Sequence, residues 1–138
     1  MNVYNQRLKP CSLPGMAKTG YTRDGSCAFE DGDSGNHHIC IDISSVDQTK
    51  GNFCEQTGQP DWCSESMTCN NGKGVCPVEN WCICQWAFAD YIENPGGCDN
   101  INKIHCESTN MKALEAYKSN PKYLNALNCL RKKCPGIK

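Results

Sequence analysis

The chain has 138 residues with 14 Lys and Arg against 15 Asp and Glu, and this near-balance argues against a broad nucleic-acid footprint. Large aliphatic residues are sparse while Gly, Pro and Asn are plentiful, and no segment is apolar enough to span a membrane. The length suits one domain whose core is marginal unless crosslinks support it.

Those crosslinks are visible as 13 cysteines. No pair is spaced C-x-x-C, which points toward disulfides and away from the commonest zinc and thioredoxin-type sites. Cys11, Cys27, Cys40, Cys54, Cys63, Cys69, Cys76, Cys82, Cys84, Cys98, Cys106, Cys129 and Cys134 are all disulfide candidates. In the chain-entropy account a bridge closing about fifteen residues contributes about 3 kcal/mol, so four to six bridges would supply much of the net stability. An odd count leaves at least one thiol outside intramolecular bridges, and Cys82 and Cys84 stand too close to pair comfortably with each other.

Residues 1 to 40 are punctuated by turns at Pro10-Cys11-Ser12, Leu13-Pro14-Gly15 and Arg23-Asp24-Gly25, so loop and short strand are expected there. His38 to Ile43 alternates, with Ile39, Ile41 and Ile43 on one face and His38, Cys40 and Asp42 on the other. From Gly51 to Asn80 no apolar period exists, and a disulfide-pinned loop is expected. Trp81 to Cys84 reads as extended and runs into a helix over Gln85 to Glu93, ended by Asn94-Pro95-Gly96-Gly97. A further strand is expected around Ile104 to Cys106. Thr109 or Asn110 then caps a helix carrying Met111, Leu114 and Tyr117. In the last helix Tyr123, Leu127, Leu130 and Cys134 share a face, with Asn120 as cap, Pro121 in the first turn and Pro135-Gly136 as the stop. Arg131-Lys132-Lys133 fits compensation of the helix dipole.

Several of these pieces occur together in a known order. Leu8-Lys9-Pro10-Cys11-Ser12, Thr19-Gly20-Tyr21-Thr22-Arg23-Asp24-Gly25-Ser26-Cys27 and Asp33-Ser34-Gly35-Asn36-His37-His38-Ile39-Cys40 are followed by Gly51-Asn52 and Trp81-Cys82-Ile83-Cys84-Gln85-Trp86. In this the chain resembles domain of unknown function 2237, a family known mostly from bacteria. The resemblance covers roughly residues 2 to 118 and implies a small α+β domain with a C-terminal helical extension over 119–138. It supplies no mechanism. The family pattern implies a longer acidic-aromatic segment after Cys40, a cysteine at Ser26, an arginine at Asn80 and a histidine at Asn110, and this chain departs at each.

The fold expected is therefore a loop-rich, disulfide-crosslinked α+β domain with short strands and two to three helices. Arg23, Asp24, Asp33 and His37, together with the family-type cysteines, are the one cluster suited to chemistry. His37 near Cys40 or Cys82 would make a thiolate nucleophile, although residues three apart on a strand meet only around a bend. Cys82 and Cys84 on one strand also suggest a redox pair. A zinc ion held by His37, Cys40, Cys82 and Cys84 is a further alternative. The leading expectation is a non-enzymatic structural or interaction protein without a cofactor. It would bind protein partners through an exposed Trp62 or Trp86.

Disulfides without a visible apolar leader, and fourteen asparagines without an N-x-Ser/Thr acceptor, lead to a virion or other extracellular particle as the expected setting. A cytoplasmic location is the alternative.

Overall fold

A computed structural model describes residues 1–45, 52–94 and 97–137 as an α+β domain. Five strands, β1 (His37–Ser45), β2 (Ser66–Thr68), β3 (Val75–Pro77), β4 (Asn80–Cys84) and β5 (Ile101–Ile104), form two antiparallel sheets. The larger has the order β4-β1-β5, and the smaller is the β2–β3 hairpin. Three helices of two turns or more, α2 (Gln85–Ile92), α4 (Met111–Lys118) and α5 (Leu124–Lys133), accompany two single turns, α1 (Phe53–Gln56) and α3 (Gly97–Asn100).

Alternation along β1 sets the layers. Ile39, Ile41 and Ile43 are buried in the main core with Trp81 and Ile83 of β4, where Ile39 stands opposite Ile83 and Ile41 opposite Trp81. Phe88, Tyr91 and Ile92 of α2, Leu114 and Tyr117 of α4, and Leu127 and Leu130 of α5 fill the same core, as their helical spacing requires. The residues between the isoleucines face elsewhere. Cys40 and its cross-strand neighbour Cys82 join Cys11 and Cys27 in a second buried cluster made wholly of sulfur-bearing side chains.

Helix ends follow the sequence signals. The Asn110 side chain accepts from the Lys112 N–H at 2.9 Å, and that of Asn120 accepts from the Lys122 N–H at 3.0 Å. A 3-10 turn at Pro121–Tyr123 leads into α5. The basic last turn of α5 is engaged: Lys132 pairs with Asp99 at 2.8 Å, and Lys133 donates to the Ile101 carbonyl at 2.9 Å.

Two expectations need correction. The strand placed around Ile104 to Cys106 lies earlier, at Ile101–Ile104, because Ile101 and Ile104 are both buried while Cys106 already starts a 3-10 turn. The segment expected as loop from Gly51 to Asn80 contains α1, a 3-10 turn at Trp62–Ser64 and the β2–β3 hairpin, which local bridges rather than apolar periodicity hold in shape. Gly51, Pro95 and Gly96 lie outside the described residues.

Six bridges account for twelve cysteines: Cys11–Cys40, Cys27–Cys82, Cys54–Cys63, Cys69–Cys76, Cys98–Cys129 and Cys106–Cys134. Cys84 remains a thiol. Residues 1–36 contain no regular helix or strand and are fastened to the sheet by the first two bridges and by buried polar contacts. Thr19 Oγ1 accepts from the Cys82 N–H at 2.9 Å, and Asn80 Nδ2 donates to the Cys11 carbonyl at 3.1 Å. Asn110 Nδ2 donates to the Cys27 carbonyl at 3.0 Å. Two of the positions that depart from the family pattern, Asn80 and Asn110, thus carry hydrogen bonds to half-cystine carbonyls. Among the described residues no helix is long and apolar enough to cross a membrane.

Candidate functional site: a thiol, an imidazole and a guanidinium in one cleft

The ladder between β1 and β4 slips between His37 and Ile39, so that His37 stands opposite Cys84 while Ile39 stands opposite Ile83. An extra residue in one strand is a β-bulge, a device that re-aims side chains. Here it lets His37 line a cleft of about 910 Å³ together with Cys84. Phe53, Trp62, Met67, Trp81 and Tyr91 give that cleft apolar walls, and Arg23 and Asp90 also border it. The size and the mixture of aromatic walls with few polar groups match a small-molecule site.

Asp33 fixes the imidazole. Its Oδ2 accepts the backbone N–H of His37 at 2.9 Å, and its Oδ1 lies 2.7 Å from Nδ1 of the ring. With the proton of neutral His37 on Nδ1, donated to the carboxylate, Nε2 is left as the basic nitrogen. The Asp33 side chain is 1% exposed against 37% for His37. Burial by itself would raise the Asp33 pKa, but the hydrogen bonds from the His37 backbone and ring, aided by the nearby imidazole charges, outweigh it and hold the carboxyl below its ordinary value. Gly35 completes the mount, since a Cβ there would come 2.8 Å from Cε1 of the His37 ring. Tyr21 flanks the ring, with centroids 6.2 Å apart.

Arg23 comes from the Gly20–Gly25 turn. Its own φ is 56°, and Nη1 donates to the Gly20 carbonyl at 2.7 Å. Gly20 has φ +103°, and a Cβ on it would approach the Ser26 carbonyl oxygen to 2.7 Å, so the turn demands glycine there. The turn holds the guanidinium carbon 5.0 Å from the centroid of the Trp81 ring, a cation–π arrangement. Cys84 is the N-cap residue of α2 and makes no capping hydrogen bond with its side chain. The first-turn N–H groups of that helix, which no helix can satisfy internally, begin directly after it. Behind them the Tyr117 hydroxyl donates to the Gln85 carbonyl at 2.6 Å. Burial, with smaller contributions from Cys84 and Tyr123, pushes the Tyr117 pKa well above its ordinary value.

The sequence candidates are therefore partly assembled. Arg23 and His37 meet in the cleft. Asp24 does not join them: it is exposed, and its Oδ1 accepts the Ser26 N–H at 3.0 Å as a turn residue. His37 does not gain Cys40 or Cys82 as a thiol partner, because those sulfurs are bridged to Cys11 and Cys27. The same bridges dissolve the four-residue zinc set, of which only His37 and Cys84 keep free donor atoms, and the proposed Cys82–Cys84 redox pair. The closest sulfur groupings, Cys11 with Cys27 and Cys82, and Cys54 with Cys63 beside Asp61, consist of crosslinked cysteines. Trp62 and Trp86 are half-buried and not free anchors. Trp62 packs on Trp81 at 5.5 Å and Trp86 on Tyr123 at 5.3 Å. The sequence reading grouped Cys84 with His37 as a zinc ligand alone and gave His37 other cysteines, Cys40 or Cys82, as its thiol partner. The odd cysteine count was the available signal, and the bulge that aligns the two residues left none.

The fold and cleft define a small, disulfide-crosslinked α+β domain that carries one thiol in an aromatic-walled pocket. The family model described as "Uncharacterized protein conserved in bacteria (DUF2237)" matches residues 1–124, and the chain belongs to that family. No curated protein matches the chain.

Proposed function

We propose that the domain is a thiol-dependent acyl-transfer or hydrolytic enzyme acting in an oxidising compartment, with Cys84 as nucleophile, His37 as general base and Asp33 as the group that orients the base. The observation that carries this reading is that the single cysteine left unbridged stands across the ladder from a carboxylate-held histidine in one cleft. The Cys84 proton passes to Nε2 of His37. The sulfur then attacks an acyl carbon, and the imidazolium returns the proton to the leaving group. Water attacks the resulting thioester with His37 again as base, which restores the thiol. In the first turn of α2 the Gln85 N–H already donates to the Asn36 carbonyl at 3.1 Å, and the N–H groups that follow it offer donors for the oxyanion.

Six bridges suit an oxidising setting, of which an extracellular particle is one kind. An interaction module anchored by Trp62 or Trp86 is less well supported, since both rings are already committed to aromatic neighbours.

Labelling by iodoacetamide, followed by intact mass, tests the proposal. Cys84 in the His37→Ala variant should react about a hundredfold or more slowly than in the parent protein, the low end of what a positioned base contributes. Asp33→Asn should fall between the two. Equal rates and superimposable pH profiles for parent and His37→Ala would remove the base from the scheme.

A further inference from the structure

We infer that the substrate of this site carries a carboxylate, recognised by the Arg23 guanidinium lying on Trp81. This rests on the proposed role of Cys84 but adds a specificity residue to it. Arg23 is placed by a turn that needs Gly20 and is anchored at one nitrogen by the Gly20 carbonyl at 2.7 Å, so its position is set before any ligand arrives. The guanidinium carbon lies over the Trp81 ring at 5.0 Å from its centroid, which adds a cation–π hold. The edge donors that remain suit the fork geometry of a carboxylate, and less so a single-point acceptor.

Charge in the cleft agrees with this assignment. The Asp33 carboxylate is buried and already engaged by His37. Asp90 of α2 and Arg23 of the Gly20–Gly25 turn both border the cleft and are both exposed, and among the described residues that line it Arg23 is the full cation.

Spacing then limits the ligand. Trp81 and Cys84 are three residues apart on β4, about 10 Å at the usual strand rise. Both residues line the one cleft, so a ligand that reaches from Cys84 to the guanidinium over Trp81 carries its reacting carbon and its carboxylate within that span. The aromatic walls would cover the spacer between them. The assignment is therefore an acyl compound with a terminal carboxylate at short range, and neutral acyl compounds are poorer substrates.

A matched pair of alkylating reagents tests charge alone: N-bromoacetyl-β-alanine and its primary amide. In each, the Cys84 sulfur forms a bond to the methylene carbon, the C–Br bond breaks, bromide leaves with the electron pair, and the thiol proton goes to His37. Rates are read by intact mass and divided by those for N-acetylcysteinamide, which removes intrinsic reactivity. The parent protein should favour the carboxylate reagent by about tenfold. Arg23→Gln should bring that ratio to near one and Arg23→Lys should restore only part of it, each ratio being taken within one variant so that a change in the amide rate cancels. A ratio near one in the parent protein, or a ratio unaffected by Arg23→Gln, overturns the inference.

A second readout needs no variant. Succinate should slow iodoacetamide labelling of Cys84 more than succinamide does, and equal protection by the two counts against a carboxylate site. Failure of the underlying reading looks different. In that case labelling by the amide reagent does not depend on His37, whatever the charge ratio shows.

Discussion

The two faces of the β1–β4 pair are held by different chemistry. On one face Ile39, Ile41, Trp81 and Ile83 meet three amphipathic helices, and stability comes from apolar area removed from water. On the other face, four cysteines and a handful of buried hydrogen bonds fasten 36 residues that form no regular element. A segment so poor in large apolar side chains cannot offset its own ordering entropy by burial. Crosslinking lowers that cost in the unfolded state instead. The cleft draws on both faces, since Arg23 and His37 belong to the sulfur-fastened side and Phe53, Tyr91 and Trp81 to the apolar side.

The largest effect expected is on the sulfur face. Cys27 and Cys82 are 55 residues apart, and replacing both with Ser should cost about 4 kcal/mol in the chain-entropy account. Chemical denaturation would measure it, and proteolysis should nick residues 12–26 first. A loss below about 1 kcal/mol would mean that the hydrogen bonds alone hold the loop. Next in size, Ile41→Ala on the apolar face, where Ile41 is 1% exposed, should cost about 3 kcal/mol through lost burial and a residual cavity. The helices should loosen in that variant while all six bridges still form, as intact mass would show.

The smallest effect is a pH dependence. His38 is buried beside Phe29, its Nδ1 pairs with Gln85 Oε1 at 2.8 Å, and Nε2 finds no partner among the described residues. Burial lowers the pKa of His38 below the ordinary 6.5, outweighing the hydrogen bond to the Gln85 oxygen and the Asp33 charge that act to raise it. Burial does the same to His105. For a depressed value the stability is fully present above pH 6.5 and declines below it, because the unfolded chain takes up protons that the folded one refuses. The denaturation midpoint should therefore fall between pH 7.5 and pH 5.5, and His38→Gln should flatten part of the fall. Identical midpoints at the two values would contradict buried neutral imidazoles. Asp33 adds a further loss of the same sign, confined to pH below its ordinary value of 3.8.

Period and capping chemistry are local, and that is why β1, α4 and α5 were legible in the sequence. The isoleucine alternation at 39, 41 and 43 has one strand solution, and Asn110 and Asn120 cap where their side chains reach the next turn. The β2–β3 hairpin was not legible, because Ser66–Thr68 and Val75–Pro77 carry no apolar alternation and depend on the Cys69–Cys76 bridge for company. The site was half legible. Arg23 and His37 stood out as polar residues in a turn-rich stretch. Their link to Cys84 depends on a bulge, which changes pairing by one residue without a compositional mark.

The pattern of sulfur pairing also has a consequence for how the chain holds together when cut. The loops closed by Cys11–Cys40 and Cys27–Cys82 interlock, as do those of Cys98–Cys129 and Cys106–Cys134. Between Cys11 and Cys134 the sole stretch that no bridge spans runs from Ile83 to Gly97, and it contains helix α2 with the free thiol at its head. A protease nick elsewhere between those two cysteines leaves the pieces covalently joined and passes unseen until the sample is reduced. A nick within α2 parts the molecule into two separately stapled halves, with the reactive cysteine at the parting line.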